Sequence, residues 1–222
     1  MVSPQAYPDL TGLTVAQIIP RLNVGGAETT TVEIARALRA ANARALVVSE
    51  GGALADALES AGAQLVDMPV ASKNPIVMAA NIRRLRRLVA AEKIDLLHAR
   101  SRAPAWSTLA AARATQTPLV TTYHSLVHEG PRPKVWYNSV MARGDVVIAN
   151  SQYTGEMIRH VHGVKDARLR VVARGCDVSA LAPENISADM RADQRRAWGA
   201  LADDIVILCP ARITEVLSLI HI

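Results

Sequence analysis

The sequence predicts an α/β protein built on a doubly wound parallel sheet, and three observations support this prediction. Short apolar runs typical of buried strands alternate with segments whose apolar residues recur at helical spacing. Half of the 222 residues are hydrophobic, which is enough for a substantial core. Aromatic residues make up only 3% and Phe is absent, so the core must consist of Ala, Val, Leu and Ile. Such side chains suit helices packed on a parallel sheet.

The expected strands are short apolar runs bounded by turn residues or by the start of a helical pattern. In chain order they cover residues 15–19, 43–49, 65–66, 94–98, 119–123, 146–149 and 169–172. Because helices separate them, the strands should run parallel, and ligands should bind at the carboxyl ends of the strands.

The expected helices fill the intervals between these strands. In the first helix, Ile34, Ala35 and Leu38 lie on one face at a 3.6-residue period. A second helix covers residues 53–61, a third begins at Pro75, and a fourth covers residues 105–114. Another runs through Tyr137 and Met141, and Ser151 should cap the helix after the sixth strand.

A glycine pair, Gly25-Gly26, opens the first helix shortly after the first strand. Two glycines remove the Cβ atoms that would block a ligand, and the free N–H groups of the first turn point outward with the helix dipole behind them. This arrangement predicts an anion site, usually for phosphate. A tight strand-to-helix turn in any α/β protein is the alternative, and the glycines alone do not decide between the two.

Polar side chains collect where the predicted strands end. Candidate binding residues at this edge are His98, His124, Asn150 and Ser151. His98 could equally be a hydrogen-bonded structural histidine. Arg100 and Arg102 follow the fourth strand and could meet an anionic acceptor, or simply pair with acidic neighbours.

The sequence changes character after residue 172. A polar connector over residues 183–189 leads to a charged helix over residues 190–198 and to a new strand over residues 205–209. One strand without a helix behind it cannot bury both of its faces. We therefore expect one domain over residues 1–180, and a linker with the truncated start of a second domain over residues 181–222.

Six motifs follow one another in an ordered series. They are Gly25-Gly26-Ala27-Glu28, Asp95-Leu96-Leu97-His98-Ala99, Thr121-Thr122-Tyr123-His124-Ser125, Val147-Ile148-Ala149-Asn150-Ser151, Arg174-Gly175-Cys176-Asp177 and Pro210-Ala211-Arg212-Ile213-Thr214. Each is weak alone, but their order and spacing over residues 13–214 resemble those of the GT-B glycosyltransferases, specifically glycosyltransferase family 4. The resemblance implies two Rossmann-like domains that face a cleft, with the acceptor largely on the first and the nucleotide-sugar on the second.

The resemblance also implies roles for single residues. Gly25 and Gly26 would approach the phosphates of the donor, with Glu28 beside them. His124 matches the active-site histidine and would help to orient the transferring sugar. Arg212 matches the first basic residue of a pair that neutralises the leaving diphosphate.

Two departures from the family pattern limit this reading. The lysine expected shortly after Arg212 is missing, and the tail over residues 215–222 is foreign to the pattern. The distal acidic motif of the family would lie beyond the last residue. The chain as written is therefore expected to transfer no sugar by itself.

The implied activity is transfer of a sugar from a nucleotide-sugar donor to a glycan or lipid-linked acceptor, in the synthesis of cell-envelope polysaccharide or lipopolysaccharide. The nucleotide-sugar is a substrate, so no cofactor is expected. The sequence contains no Asp-x-Asp motif, which is consistent with metal-independent transfer through helix N-termini and an arginine. No metal site is therefore expected.

Cysteine usage and the N-terminus indicate a cytoplasmic protein. Cys176 and Cys209 lack metal-ligand spacing, and neither a signal peptide nor an apolar run of membrane-spanning length occurs. The net charge of +5 favours anionic partners. Four arginines, Arg83, Arg84, Arg86 and Arg87, form a basic helix face that could contact the anionic inner membrane, or could simply be solvated.

Three alternatives remain at the sequence level. A nucleotide-binding oxidoreductase would use Glu50 as a ribose ligand, but the sequence contains no G-x-G-x-x-G fingerprint. Nucleic-acid binding is suggested only by charge, and no recognised motif supports it. A non-catalytic fragment that binds the acceptor is the third.

Overall fold

A computed structural model of the chain describes residues 7–124, 127, 130–175, 182–201 and 203–208. The chain divides into two compact units, Met1–Arg174 and Gly175–Ile222. The first unit contains the sheet and the helices that pack on it.

A seven-stranded sheet forms the centre of the first unit. Its strands are β1 (Thr14–Ile18), β2 (Arg44–Ser49), β3 (Gln64–Asp67), β4 (Leu96–Ala99), β5 (Leu119–Tyr123), β6 (Val146–Ala149) and β7 (Leu169–Val171). The order across the sheet is β3-β2-β1-β4-β5-β6-β7, and every neighbouring pair is parallel. The predicted parallel sheet is confirmed. The strand order reverses between β1 and β4, which is where such sheets open a crevice for ligands.

Helices cover both faces of this sheet. They are α1 (Gly26–Ala40), α2 (Ala55–Ser60), α3 (Pro75–Glu92), α4 (Arg102–Thr115), α5 (Arg132–Asn138) and α6 (Gln152–His162), with a 3₁₀ turn at Ser139–Ala142. Val32 of α1 and Leu58 of α2 pack in one apolar cluster, whereas α3, α4 and α6 bury Leu85, Ala111 and Ile158 in a second, larger one. The sheet is therefore doubly wound, as predicted.

Helix ends follow the local sequence signals. The Oγ atom of Ser151 accepts a hydrogen bond of 3.1 Å from the backbone N–H of Thr154, so the predicted cap of α6 is confirmed. Asn74 caps α3 in the same way, with Pro75 in the first helical turn. Loss of such a cap costs about 1 kcal/mol of stability.

The second unit contains a 3₁₀ turn at Pro183–Asn185 and the helix α7 (Ala188–Ala197), close to the predicted helix. The predicted strand over residues 205–209 is wrong for residues 205–208, which form no strand, while Cys209 lies outside the described residues. Ile205 and Ile207 are each 92% exposed. A strand needs a neighbour to satisfy its backbone groups, and the described part of this unit contains no other strand.

Over the residues that the structure describes, no helix combines the length and apolar character needed to cross a membrane.

Candidate functional site

Four loops at the carboxyl ends of the strands position the candidate site. The loop after β1 leads to Gly25 and α1, and Arg100 follows β4 directly. His124 follows β5, and Arg174 lies three residues beyond β7. Because all strands are parallel, these loops lie on the same edge of the sheet.

Arg174 connects the glycine pair to the histidine. Its Nη2 atom lies 3.5 Å from Nδ1 of His124 and 3.4 Å from the backbone oxygen of His124. Its Nη1 atom occupies the space that a Cβ atom on Gly26 would need. The structure therefore brings Gly26 and His124 to one place through Arg174, which belongs to one of the six motifs but had no predicted role.

The glycine pair is explained by space and not by backbone conformation. Gly25 has a φ of 178°, which any residue can adopt. A Cβ atom at Gly25 would lie 2.5 Å from Oε2 of Glu28, so the Glu28 carboxylate packs over this glycine. No side chain caps α1, and the N–H groups of its first turn keep the polarity that attracts an anion.

His124 is held in its neutral form. Burial, together with the nearby charges of Arg100 and Arg174, lowers the pKa of His124 to about 3. Its Nε2 atom is buried and has no hydrogen-bond partner among the described residues. A neutral imidazole with an unused ring nitrogen can donate or accept one hydrogen bond, which suits the orientation of a sugar hydroxyl.

Arg100 is buried at the end of β4, with 2% of its surface exposed. Its Nη1 atom donates to Oε1 of Gln17 at 3.2 Å, and Nε2 of Gln17 donates to the backbone oxygen of Thr31 in α1 at 3.0 Å. Burial and the charge of Arg174 lower the pKa of Arg100 to about 10, while Glu28 and Glu33 act in the opposite direction. Arg100 therefore stays cationic at neutral pH.

A cleft of about 440 Å³ opens beside these residues. Its described lining comes from α4, from the end of β5, from α5 and from the loops beside them: Lys73, Arg100, Ser101, Arg102, Ala103, Thr122, Tyr123, His124, Lys134, Tyr137, Asn138 and Met141. This volume is in the range of sites for small ligands.

His98 is not among the described residues that line the cleft. It is 6% exposed, and its Nε2 atom lies 2.7 Å from Oγ1 of Thr122 on the neighbouring strand β5. Burial, with the charges of Arg100 and His124, holds the pKa of His98 well below its usual value. A buried, hydrogen-bonded histidine is the structural alternative noted for this residue, so its role in binding substrate stays a prediction.

Asn150 and Ser151 are engaged at the start of α6. Oγ1 of Thr154 donates to Oδ1 of Asn150 at 2.9 Å, next to the cap that Ser151 provides. Neither residue is among the described residues that line the cleft. Their role in substrate binding stays a prediction, and Arg212 lies outside the described residues.

Glu50 is also engaged. Its carboxylate accepts hydrogen bonds from the backbone N–H of Ala71 at 3.1 Å and from Nε of Arg21 at 3.2 Å. The oxidoreductase alternative requires this carboxylate to bind a ribose, but in the structure it accepts hydrogen bonds from two different loops.

Part of the site was not found by sequence reasoning. Gln17 and Asn138 belong to no motif, since a strand glutamine or a helix asparagine is unremarkable alone, and Tyr123 lies in a motif in which only His124 was assigned a role. Only the register of β1 against β4 brings Gln17 beside the end of the strand that leads to Arg100. Arg174 opens one of the six motifs and follows a strand, but no role was predicted for it, because its partners lie 50 and more positions earlier in the sequence.

The class of protein follows from the doubly wound sheet and from the residues at the carboxyl ends of its strands. A doubly wound sheet with a glycine-started helix and a histidine at the switch-point edge is the first-domain arrangement of the GT-B glycosyltransferases. The model of the Glycosyltransferase Family 4 matches residues 24–180, which is well over half of the chain. The chain belongs to glycosyltransferase family 4.

Solved structures agree with this assignment. A glycosyltransferase from Rickettsia africae is 27% identical with a TM-score of 0.79, over 91% of this chain and 54% of its own. HepE from Anabaena in complex with UDP-glucose is 20% identical with a TM-score of 0.66, over 84% of this chain and 50% of its own. The lipopolysaccharide outer core galactosyltransferase WaaB is 14% identical with a TM-score of 0.56, over 75% of this chain and 47% of its own.

The chain thus spans about half the length of the solved structures that it matches. The two matches of lower identity support the fold alone. A comparison with curated proteins gives no match.

Proposed function

We propose that this chain forms the acceptor-side half of an enzyme that moves a sugar from a nucleotide-sugar to a glycan or lipid-linked acceptor. The observation that carries the proposal is the contact of Arg174 with both Gly26 and His124 at the start of α1. It joins an anion-binding helix end, a cation and a neutral hydrogen-bonding group, which are the parts that glycosyl transfer needs. The structure of HepE with UDP-glucose supports the choice of donor class.

The reaction assigns a distinct task to each part. The acceptor hydroxyl oxygen forms a bond to the anomeric carbon, and the bond from that carbon to the diphosphate breaks with its electron pair. The hydroxyl proton passes to the released diphosphate or to water. Negative charge grows on the diphosphate, where the N-terminus of α1 and the Arg174 guanidinium stabilise it.

His124 acts in this scheme as an orienting group. Its pKa of about 3 makes it a poor proton donor at neutral pH, since almost none of it carries the extra proton. As a neutral ring it can hold a hydroxyl of the transferring sugar by one hydrogen bond. The proposed roles of Gly25, Gly26 and Glu28 fit the same arrangement, with Glu28 beside the phosphates.

We place the acceptor in cell-envelope polysaccharide or lipopolysaccharide synthesis, with the cytoplasmic enzyme in peripheral contact with the inner membrane. The likeness to WaaB supports the pathway at the level of the fold. All four arginines of the α3 cluster are exposed: Arg83, Arg84, Arg86 and Arg87. Exposed arginines on one helix are the chemistry that anionic headgroups attract.

The test requires a protein that joins this chain to the second half found in the relatives. Incubation with a panel of UDP-, GDP- and ADP-sugars and envelope glycan acceptors should release nucleoside diphosphate only when donor and acceptor are both present. Equal release without acceptor would indicate hydrolysis, and no release with any pair would overturn the proposal.

A further inference from the structure

We propose that the cleft beside α4 and α5 selects an acceptor that carries an anionic group, a phosphate or a carboxylate, close to the hydroxyl that receives the sugar. The inference rests on the proposed function, because it takes the first unit to be the acceptor side. It adds the chemical class of that acceptor.

The described lining of the cleft is cationic. Arg100, Lys73 and Lys134 contribute to it, together with Arg102, and none of the described lining residues is Asp or Glu. Lys73 and Lys134 are exposed and lie on two separate segments, the approach to α3 and the first turn of α5. Cations that converge from separate segments on a wall whose described residues include no carboxylate favour an anion.

Besides His124, three residues of the wall have buried polar atoms with no hydrogen-bond partner among the described residues. These atoms are Nε and Nη2 of Arg100, Oη of Tyr123 and Nδ2 of Asn138. Their side chains are 2%, 3% and 6% exposed, respectively. Buried donors are normally satisfied, so these four unsatisfied donor atoms around one cleft indicate a ligand rich in acceptor oxygens. Phosphate and carboxylate are such groups.

The N-terminus of α4 also favours a negatively charged ligand in the cleft. Ser101 precedes this 14-residue helix, and no side chain caps it. Ser101, Arg102 and Ala103 all line the cleft, so the first-turn N–H groups are at its wall. Helix N-termini favour negative charge, and here the helix end acts together with the buried Arg100 guanidinium.

This anion is distinct from the diphosphate of the donor. The donor phosphates are proposed to lie at α1, beside Gly26 and Arg174, whereas the cleft wall is built by α4, α5 and the end of β5. His124 belongs to both places, because it lines the cleft and contacts Arg174. An acceptor with its hydroxyl near His124 would hold its anionic group toward Arg100.

Binding to the 222-residue chain tests the inference by calorimetry, with glucose 6-phosphate, glucuronate and glucose as probes. Glucose 6-phosphate should bind at least about tenfold more tightly than glucose, as expected for charge-assisted hydrogen bonds. Lys134→Glu should weaken binding of glucose 6-phosphate by about tenfold. The matched control Lys165→Glu reverses an exposed lysine outside the cleft and should leave the affinity unchanged.

Arg100→Gln should abolish the preference for the phosphate, with circular dichroism as the check on folding. If that variant unfolds, the difference in glucose 6-phosphate affinity between Lys134→Glu and Lys165→Glu tests the inference by itself. UDP should not compete with glucose 6-phosphate, because the two anions occupy different places. Equal affinities for glucose and glucose 6-phosphate, identical effects of the two lysine reversals, or competition by UDP would each overturn the inference.

A lipid-borne phosphate and a soluble one are separated by vesicles. If phosphatidylcholine vesicles with phosphatidic acid displace glucose 6-phosphate while pure phosphatidylcholine does not, a lipid phosphate reaches the cleft. If neither displaces it, the cleft takes a soluble sugar phosphate or sugar acid. If glucose 6-phosphate binds as expected but the two-domain enzyme shows no turnover, only the proposed function is overturned. If the enzyme turns over but shows no preference for the phosphate, only this inference is overturned.

Discussion

Arg174 packs its guanidinium against His124, with Nη2 3.5 Å from the ring atom Nδ1 and 3.4 Å from the backbone oxygen of the same residue. Burial and the surrounding arginines keep that ring neutral. The histidine is thus set up to hydrogen-bond and the arginine to carry charge, and the two can be tested separately.

Replacing His124 with Ala in the two-domain enzyme should lower kcat by about 10²-fold, the lower end for loss of a group that acts in the transition state. Folding should change little, because His124 lies at a loop edge. His160→Ala, an exposed histidine on α6, is the matched control. Steady-state kinetics with unfolding curves check both, and a parental rate in His124→Ala would remove this residue from the site.

Replacing Gly26 with Val should block the approach of the donor phosphates. The new side chain would take the space that Nη1 of Arg174 now fills and would extend beyond it. Arg174 is exposed and flexible at its end, so the chain should still fold. We expect the KM for the nucleotide-sugar to rise and kcat to fall.

Gly130→Val is the control for that variant, because a Cβ atom at Gly130 would meet no atom of the described, non-adjacent residues within 4 Å. Comparable kinetics for the two valine variants would show that donor phosphates do not pass Gly26.

The free energy of unfolding should fall as the pH drops from about 6.5 toward 3. His98 and His124 are neutral in the folded chain, because burial lowers the pKa of each. Over that range the histidines bind protons in the unfolded chain but not in the folded chain. Their contribution to the free energy of unfolding is therefore complete above pH 6.5 and is lost progressively below it. Each histidine adds a slope of up to about 1.4 kcal/mol per pH unit.

Urea unfolding between pH 7.5 and about 4.5 measures that slope before most carboxylates titrate. His124→Gln should make it shallower, whereas His160→Gln should not. If His124→Gln leaves the slope unchanged, the His124 ring is already protonated or solvated in the folded chain.

Anionic vesicles should bind the chain through α3, with each arginine that reaches the surface contributing about 1 kcal/mol at low salt. Arg83→Glu combined with Arg86→Glu should weaken co-sedimentation, and added salt should do the same. Arg36→Glu combined with Lys165→Glu removes the same charge from other exposed positions. Equal losses in the two double variants would assign the binding to net charge and not to this helix face.

The 222-residue polypeptide alone should transfer no sugar. It spans about half the length of the solved structures that it matches, and the family resemblance assigns the nucleotide-sugar largely to the second domain. Nucleoside diphosphate release should stay far below about 1 per second, an ordinary turnover. A rate at that level would show that this chain already holds every group needed for transfer, whereas acceptor binding without turnover fits a non-catalytic fragment that binds the acceptor.

Most of the fold could be predicted from the sequence, because each strand of the sheet is a short apolar run and each run is buried by the neighbouring strands and helices. The site was less accessible. His98 and His124 both end or follow strands, yet the first lies against Thr122 inside the sheet and the second faces the cleft. The sequence contains no signal for that difference, which depends on strand register. The strand expected over residues 205–209 was wrong for residues 205–208 because an apolar run becomes a strand only beside a partner.

The amide of Gln17 has a consequence for any attempt to re-engineer acceptor choice. Both ends of this fully buried side chain are committed, one to the backbone of α1 and the other to Arg100. Changing Arg100 therefore disturbs the helix proposed to face the donor, whereas Lys73 and Lys134 are exposed at the rim of the cleft and can be changed without disturbing that helix. New acceptor preferences should be easier to select at the rim than at the floor of the cleft.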